Sequence, residues 1–388
     1  MLSLKVLLTS RLGNRCLIPV GAFSVARFSK LAGSSTSTTS PLVDYLVSNF
    51  QFPETQALSI AAGFHHRQSS QKAQALFTFL RGLGFSQDHI RSTVCGAPQI
   101  LFAGVDNNLK PKMELFQKLG FEGPGLGKFV SKNAGVLTSS LEKRLRPRVH
   151  FLLGNFYQKD VLKAIERCSL LIFKHPDSRL LSNVALLRSC GIVGSQLSML
   201  LRMLPRVFLR KECQLRGIVS RTLDFGFSMK SRMFVHGLCT VSCYSKATID
   251  RKFAVFEGFG FSREECIAMF RTAPAVVRCS DVKLTSGVDF FLNTMNLTKE
   301  AVVRSPGLLM YSMKERVIPR YRVLEIMESK GLLKKKPNFN TVVLYTSEQF
   351  LEKFVFMYRD HAKELLGVYN GHNVDSSEDA TCLKVSVI

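Results

Sequence analysis

The sequence predicts an all-α fold: an α-solenoid, a superhelical crescent of about eight repeats of ~35 residues, each two α-helices plus a short 3-10 turn. Two anchors that keep step with one another predict it. A glycine recurs at Gly84, Gly120, Gly154, Gly191, Gly226, Gly260 and Gly331, with Met295 in the remaining place, a spacing of roughly 34–37 residues. A tetrad runs alongside: Pro98-Gln-Ile-Leu101, Ala134-Gly-Val-Leu137, Ser169-Leu-Leu-Ile172, Pro205-Arg-Val-Phe208, Pro274-Ala-Val-Val277 and Pro306-Gly-Leu-Leu309. The third observation is apolar spacing of helical period throughout, with no alternating run of the kind a strand needs.

Residues 1–40 read as a segment outside the fold. They hold no acidic residue, scatter Lys5, Arg11, Arg15, Arg27 and Lys30 among apolar residues, and end in a Ser/Thr tract from Ser34 to Ser40. That is the composition of an organellar transit peptide. Arginines among leucines favour the mitochondrion and the Ser/Thr tract keeps a plastid address open, while Arg27-Phe-Ser29 resembles a matrix-protease site. The solenoid is expected over 41–371, and 372–388 reads as a disordered tail without periodicity.

Each unit begins after its glycine with a short helix whose apolar residues step by four: Ile90/Val94, Leu126/Val130, Val161/Ile165, Leu197/Leu201, Cys266/Phe270. Ser86, Ser228 and Ser262 are candidate N-caps, and Ser262 with Glu265 spells a capping box. The tetrad proline, lacking an N–H, stops this helix and opens a short turn. A longer helix follows with a 4-then-3 stripe: Leu109/Met113/Phe116, Leu145/Val149/Leu152, Ile249/Phe253/Phe256, Leu284/Val288/Phe291, Val317/Tyr321/Leu324. The glycine ends it in the left-handed conformation.

Hydrophobic residues make up 46% of the 388, enough for a continuous core, and the net charge is +24, from 53 Lys+Arg against 29 Asp+Glu. Such an excess points to a polyanionic partner. No apolar run approaches the roughly 18–20 residues of a membrane span, so no membrane insertion is expected. The ten cysteines include no Cys-x-x-Cys. His236, Cys239 and Cys243 come nearest to a metal pattern but lack a fourth ligand, so neither metal nor cofactor is expected. Gly123-Pro-Gly-Leu-Gly-Lys128 fails as a phosphate loop, with Glu122 for the first glycine and Phe129 for the Ser/Thr; it reads as an inter-repeat turn. His65-His66 reads as a solvent-facing loop pair. No nucleophile, base and oxyanion donor converge in the pattern, and the chain is expected not to be an enzyme.

The tetrads, the closures Leu83-Gly84-Phe85 and Leu119-Gly120-Phe121, Leu180-Leu-Ser-Asn-Val184 with Ser189-Cys-Gly-Ile192, and the closing segment from Ser347 through Gly371 resemble the mitochondrial transcription termination factor family, mTERF, in its land-plant organellar branch. The resemblance covers roughly 41–371. It implies a crescent of triple-helical repeats in an organelle that binds double-stranded DNA or RNA along a basic concave groove. The chain departs from the pattern at Ala134 and Ser169, which replace the proline, and around Cys239, where the tetrad fades.

Registering the longer helices on their stripes brings cations into columns. Lys112, Arg148, Lys252 and Arg320 share one, interrupted at Val184, Ile218 and Gly287; Lys110, Arg146 and Arg216 share its neighbour. A cation returning once per repeat suits a phosphate backbone, with its charge per about 1.7 Å of duplex axis, and these seven are the candidate contacts. Tyr244 and Tyr311 are candidates for stacking on unpaired bases. Three readings follow: a monomeric organellar regulator of transcription on duplex DNA; a related role on structured RNA, in splicing or ribosomal RNA maturation; or a helical-repeat scaffold for a protein partner.

Overall fold

The computed structural model describes residues 41–64, 70–173 and 177–371. The expected transit peptide, His65-His66 and the tail lie outside the described residues. Helices and turns account for the fold, with no strand among the described residues. It is a helical-repeat solenoid, and its described residues gather into two compact units, 41–243 and 244–371. The repeat runs through each of them.

The tetrad decides the local geometry of each repeat. Where it begins with proline, at Pro98–Phe102, Pro205–Leu209, Pro274–Arg278 and Pro306–Met310, it forms a 3-10 turn with the proline at its start. Where Ala134 or Ser169 stands there instead, Gly135–Thr138 and Leu170–Phe173 form a single α-turn. Around Cys239 no breaker intervenes, and one helix runs from Arg232 to Cys243. Removing the residue that lacks an N–H restores the ordinary helical bond, first locally and then throughout.

A second proline shapes the longer helices. Pro111, Pro147 and Pro319 sit just inside Lys110–Leu119, Arg146–Asn155 and Ile318–Ser329. Each is preceded by a wide π-turn, Val105–Leu109, Leu141–Leu145 and Met313–Val317. The proline ring would meet the carbonyl four residues back, and one widened turn relieves that clash without ending the helix.

The closing glycines behave as their spacing predicts in most units. Gly84, Gly120, Gly191, Gly226, Gly260 and Gly331 all have positive φ. At Gly120 and Gly260 the following residue donates back along the helix, Phe121 to Phe116 and Phe261 to Phe256, and both phenylalanines are buried, closing the helix as a Schellman motif does. Gly154 instead lies inside Arg146–Asn155, and in the Met295 unit the left-handed residue is Asn296.

Two smaller expectations are corrected. Gly123–Lys132 is a helix, the first of its unit, and not a turn; Gly127 is there because a Cβ would stand 2.6 Å from His89 Nδ1. Ser231, not Ser228, caps Arg232–Cys243, accepting from Met233 N. Ser86 and Ser262 cap as expected, Ser262 with the reciprocal Glu265 bond. The apolar stripes form the core, and Val323, Met327, Phe350, Val355 and Leu365 close the C-terminal end.

Candidate nucleic-acid interface

The stripes fix the register of every longer helix. Three residues after the first apolar position come Leu76, Lys112, Arg148, Asn183, Ile218, Lys252, Gly287 and Arg320. Leu180, Val184 and Leu187 are all buried, so the member from Asp177–Ser189 is Asn183 and not Val184. Position i+3 flanks the stripe, so its side chain emerges at the border between its own unit and the next.

That border decides what the column does. The short turn of the following unit ends in an extended residue, leaving carbonyls without helical donors, and the column residue supplies them. Lys112 Nζ donates to Leu137 O at 2.5 Å and to Asn108 Oδ1. Asn183 Nδ2 donates to Phe208 O and Arg210 O, both at 2.9 Å. Lys252 Nζ donates to Cys279 O at 2.7 Å and pairs closely with Asp281. Arg320 Nη1 reaches Val342 O, Val343 O and Tyr345 O, and its guanidinium lies over Phe350. At Gly287 a Cβ would stand 2.9 Å from Leu309 Cδ2, and Lys283, one turn earlier, donates to Met310 O instead.

The expectation that Lys112, Arg148, Lys252 and Arg320 present their charges along an open groove is therefore corrected. They are 4%, 8%, 6% and 0% exposed, and Lys112, Lys252 and Arg320 direct their hydrogens to main-chain carbonyls of the neighbouring repeat. Burial lowers the Lys112 pKa, and burial followed by the nearby Arg316 lowers that of Arg320. Ile218 marks where the device is absent: its neighbour Arg232–Cys243 has no turn, and its carbonyls are used within the helix. Leu76 gives the first unit an apolar border.

The neighbouring column is exposed, but part of its charge is already answered. Arg146 pairs with Glu142 and Arg216 with Glu212, four residues earlier on the same helix; Lys110 is exposed. Tyr311 is buried, with Arg316 over its ring, and has no free face for a base. Among the described residues no three His, Cys, Asp or Glu groups gather as a metal would require. His236 is held below the usual histidine range by burial, then by Arg232 and Arg202, and those two cations would repel a metal ion.

A different basic column lies at the C-terminal ends of the first helices. Lys132 ends Gly123–Lys132, Arg167 ends Gln158–Arg167, and Arg202 sits in the last turn of Gly194–Met203. His236 follows in the unit without a turn. In 244–371, Arg271 and Arg304 sit in the last turn of Arg263–Thr272 and Lys299–Arg304, and across the set the cation stands two or three residues before its tetrad. The five Lys and Arg residues are exposed. Registering the sequence on its longer helices conceals this column. Its signal is the same ~35-residue period, counted back two or three residues from every tetrad but the first, where Cys95 and Gly96 precede Pro98.

The comparisons with known proteins agree with the fold. The mTERF family model matches residues 77–235 and 232–351, and the chain belongs to the mTERF family, whose members are organellar nucleic-acid-binding regulators. Among its relatives is Transcription termination factor MTERF8, chloroplastic, of Arabidopsis thaliana, 20% identical over 288 residues, 74% of this chain and 55% of the relative. Another is Transcription termination factor MTERF15, mitochondrial, of the same plant, 20% identical over 280 residues, 72% of this chain and 54% of the relative. The chain spans about half the length of these two proteins. Among the described residues no helix is long and apolar enough to cross a membrane.

Proposed function

We propose that this protein is an organellar nucleic-acid-binding regulator of gene expression that acts as a monomer on double-stranded DNA to control transcription. The observation that carries the reading is a solenoid of the mTERF family with a net charge of +24 and exposed cations at the same period in five of its repeats. Long-period arrays of cation match a long polyanion better than a compact ligand. Lys110, Arg146 and Arg216 remain proposed contacts, with Glu142 and Glu212 competing for the latter two. The composition of residues 1–40 favours import into mitochondria, and the two relatives are named for a mitochondrion and a chloroplast.

Crosslinking the full chain in purified organelles and sequencing the attached nucleic acid tests this reading. Enrichment of duplex DNA at discrete organellar loci is the expected result. Enrichment of intron or ribosomal RNA would move the role to RNA, and recovery of neither would favour a protein-binding scaffold.

A further inference from the structure

We propose that the cations at the ends of the first helices, Lys132, Arg167 and Arg202 in 41–243 and Arg271 and Arg304 in 244–371, are where each unit meets phosphates; the proposal rests on the nucleic-acid reading above. The row differs from the longer-helix columns in the two properties that matter to an anion, access and free charge. Its members are exposed, whereas Lys112, Lys252 and Arg320 are enclosed and hydrogen-bonded to carbonyls. Arg146 and Arg216 share their charge with a glutamate of their own helix. Two members have a carboxylate nearby: Arg202 lies 3.3 Å from Asp160, and Glu300, four residues before Arg304, has its carboxyl pKa lowered first by a main-chain hydrogen bond and further by Arg304. Arg167 and Arg304 donate to main-chain oxygens, Arg202 O at 2.8 Å and Glu300 O at 3.2 Å, bonds that orient a guanidinium without cancelling its charge.

The bond from Arg167 to Arg202 O also shows that these two members are neighbours. Packed helices stand about 8–10 Å apart, and one DNA strand rises about 3.4 Å per nucleotide, so cations so placed match a phosphate roughly every two to three nucleotides. Further cations lie nearby in 41–243: Arg206 is beside Cys168, and Arg202 and Arg232 both act on His236. Cations at a helix C-terminus also complement the macrodipole. That role alone would serve stability, and the salt slope separates it from phosphate contact.

The test uses the full chain, a mixed-sequence DNA duplex and a mixed-sequence RNA hairpin, with affinity measured as a function of salt. Changing the five residues to Gln should lower the log–log salt slope on the duplex by about 0.9 for every phosphate no longer engaged, and changing only the four arginines to Lys should keep it. A control variant, K110Q with R146Q and R216Q, should lower the slope far less. A Gln variant that loses thermal stability but keeps the wild-type slope would overturn the inference and leave these residues as helix caps. A control variant whose slope falls further than that of the row would overturn it in favour of the longer helices. Wild-type protein that binds neither probe in a salt-dependent way would defeat the nucleic-acid reading itself, a result separable from the others because it needs no variant.

Discussion

The borders between repeats and the ends of the first helices carry basic residues at the same period, yet they do opposite things with them. At the border, Lys112, Lys252 and Arg320 face the last carbonyls of the next unit's turn, and Asn183 does the same without any charge. At the helix ends, Lys132, Arg167, Arg271 and Arg304 stand in solvent. A periodic cation is therefore evidence of a repeated environment, and the environment decides its work. Where a turn leaves carbonyls inside the molecule, a donor that reaches them stabilises the junction, because a buried polar group without a partner costs about 1–3 kcal/mol.

The largest expected effect breaks the border. Arg320→Ala strands the carbonyls of Val342 and Val343, leaves Tyr345 O to Arg316 alone and empties the space over Phe350, and should destabilise the protein by roughly 3–5 kcal/mol. Asn183→Ala, which removes two bonds and no charge, should cost about 1–3 kcal/mol. Urea unfolding followed by far-UV circular dichroism reads both, and neither change should alter the salt slope of duplex binding. A reduced slope with unchanged stability in either variant would return the column to the surface.

A smaller effect sharpens the comparison through pH. Burial holds the Lys112 pKa below its unfolded value of 10.5. The folded state therefore disfavours its charge, and the stability of the wild type relative to Lys112→Met should rise as pH climbs through the folded pKa toward 10.5. Asp281 behaves oppositely. Its hydrogen bond from Lys252 holds it below 3.8, so its contribution is present above that value and fades as pH falls through the lower folded pKa. Urea midpoints of wild type, Lys112→Met and Asp281→Asn across the pH range check both signs.

The fold was legible because the anchors are backbone signals. Proline cannot donate, glycine tolerates positive φ, and a 4-then-3 step fits only a helix, so turns, closures and stripes fall where those residues stand. Even the departures were informative: Ala134 and Ser169 turn a 3-10 turn into an α-turn, and the faded tetrad near Cys239 becomes unbroken helix. The site was less legible because the fate of a side chain at the stripe's edge depends on the unit facing it. Lys112 and Lys110 look alike in one dimension, and only the carbonyl of Leu137, 25 residues on, separates them. One clue was present in the sequence: the column's apolar Ile218 falls beside the unit that lacks a tetrad. Asn183 was not such a clue, because the sequence register puts Val184 there and the burial of Leu180, Val184 and Leu187 moves the member to Asn183. Gly127 shows the same blindness in miniature, since its reason is His89 in the preceding repeat.

Lysine acetylation footprinting of the folded full chain, free and bound to duplex DNA, tests the division between border and helix end most directly. In the free protein Lys110 and Lys132 should react readily while Lys112 and Lys252 stay unmodified, and the duplex should protect Lys132 and leave the two buried lysines as they were. Lys112 and Lys252 reacting as fast as Lys110 in the free protein, and becoming protected by the duplex, would contradict the account.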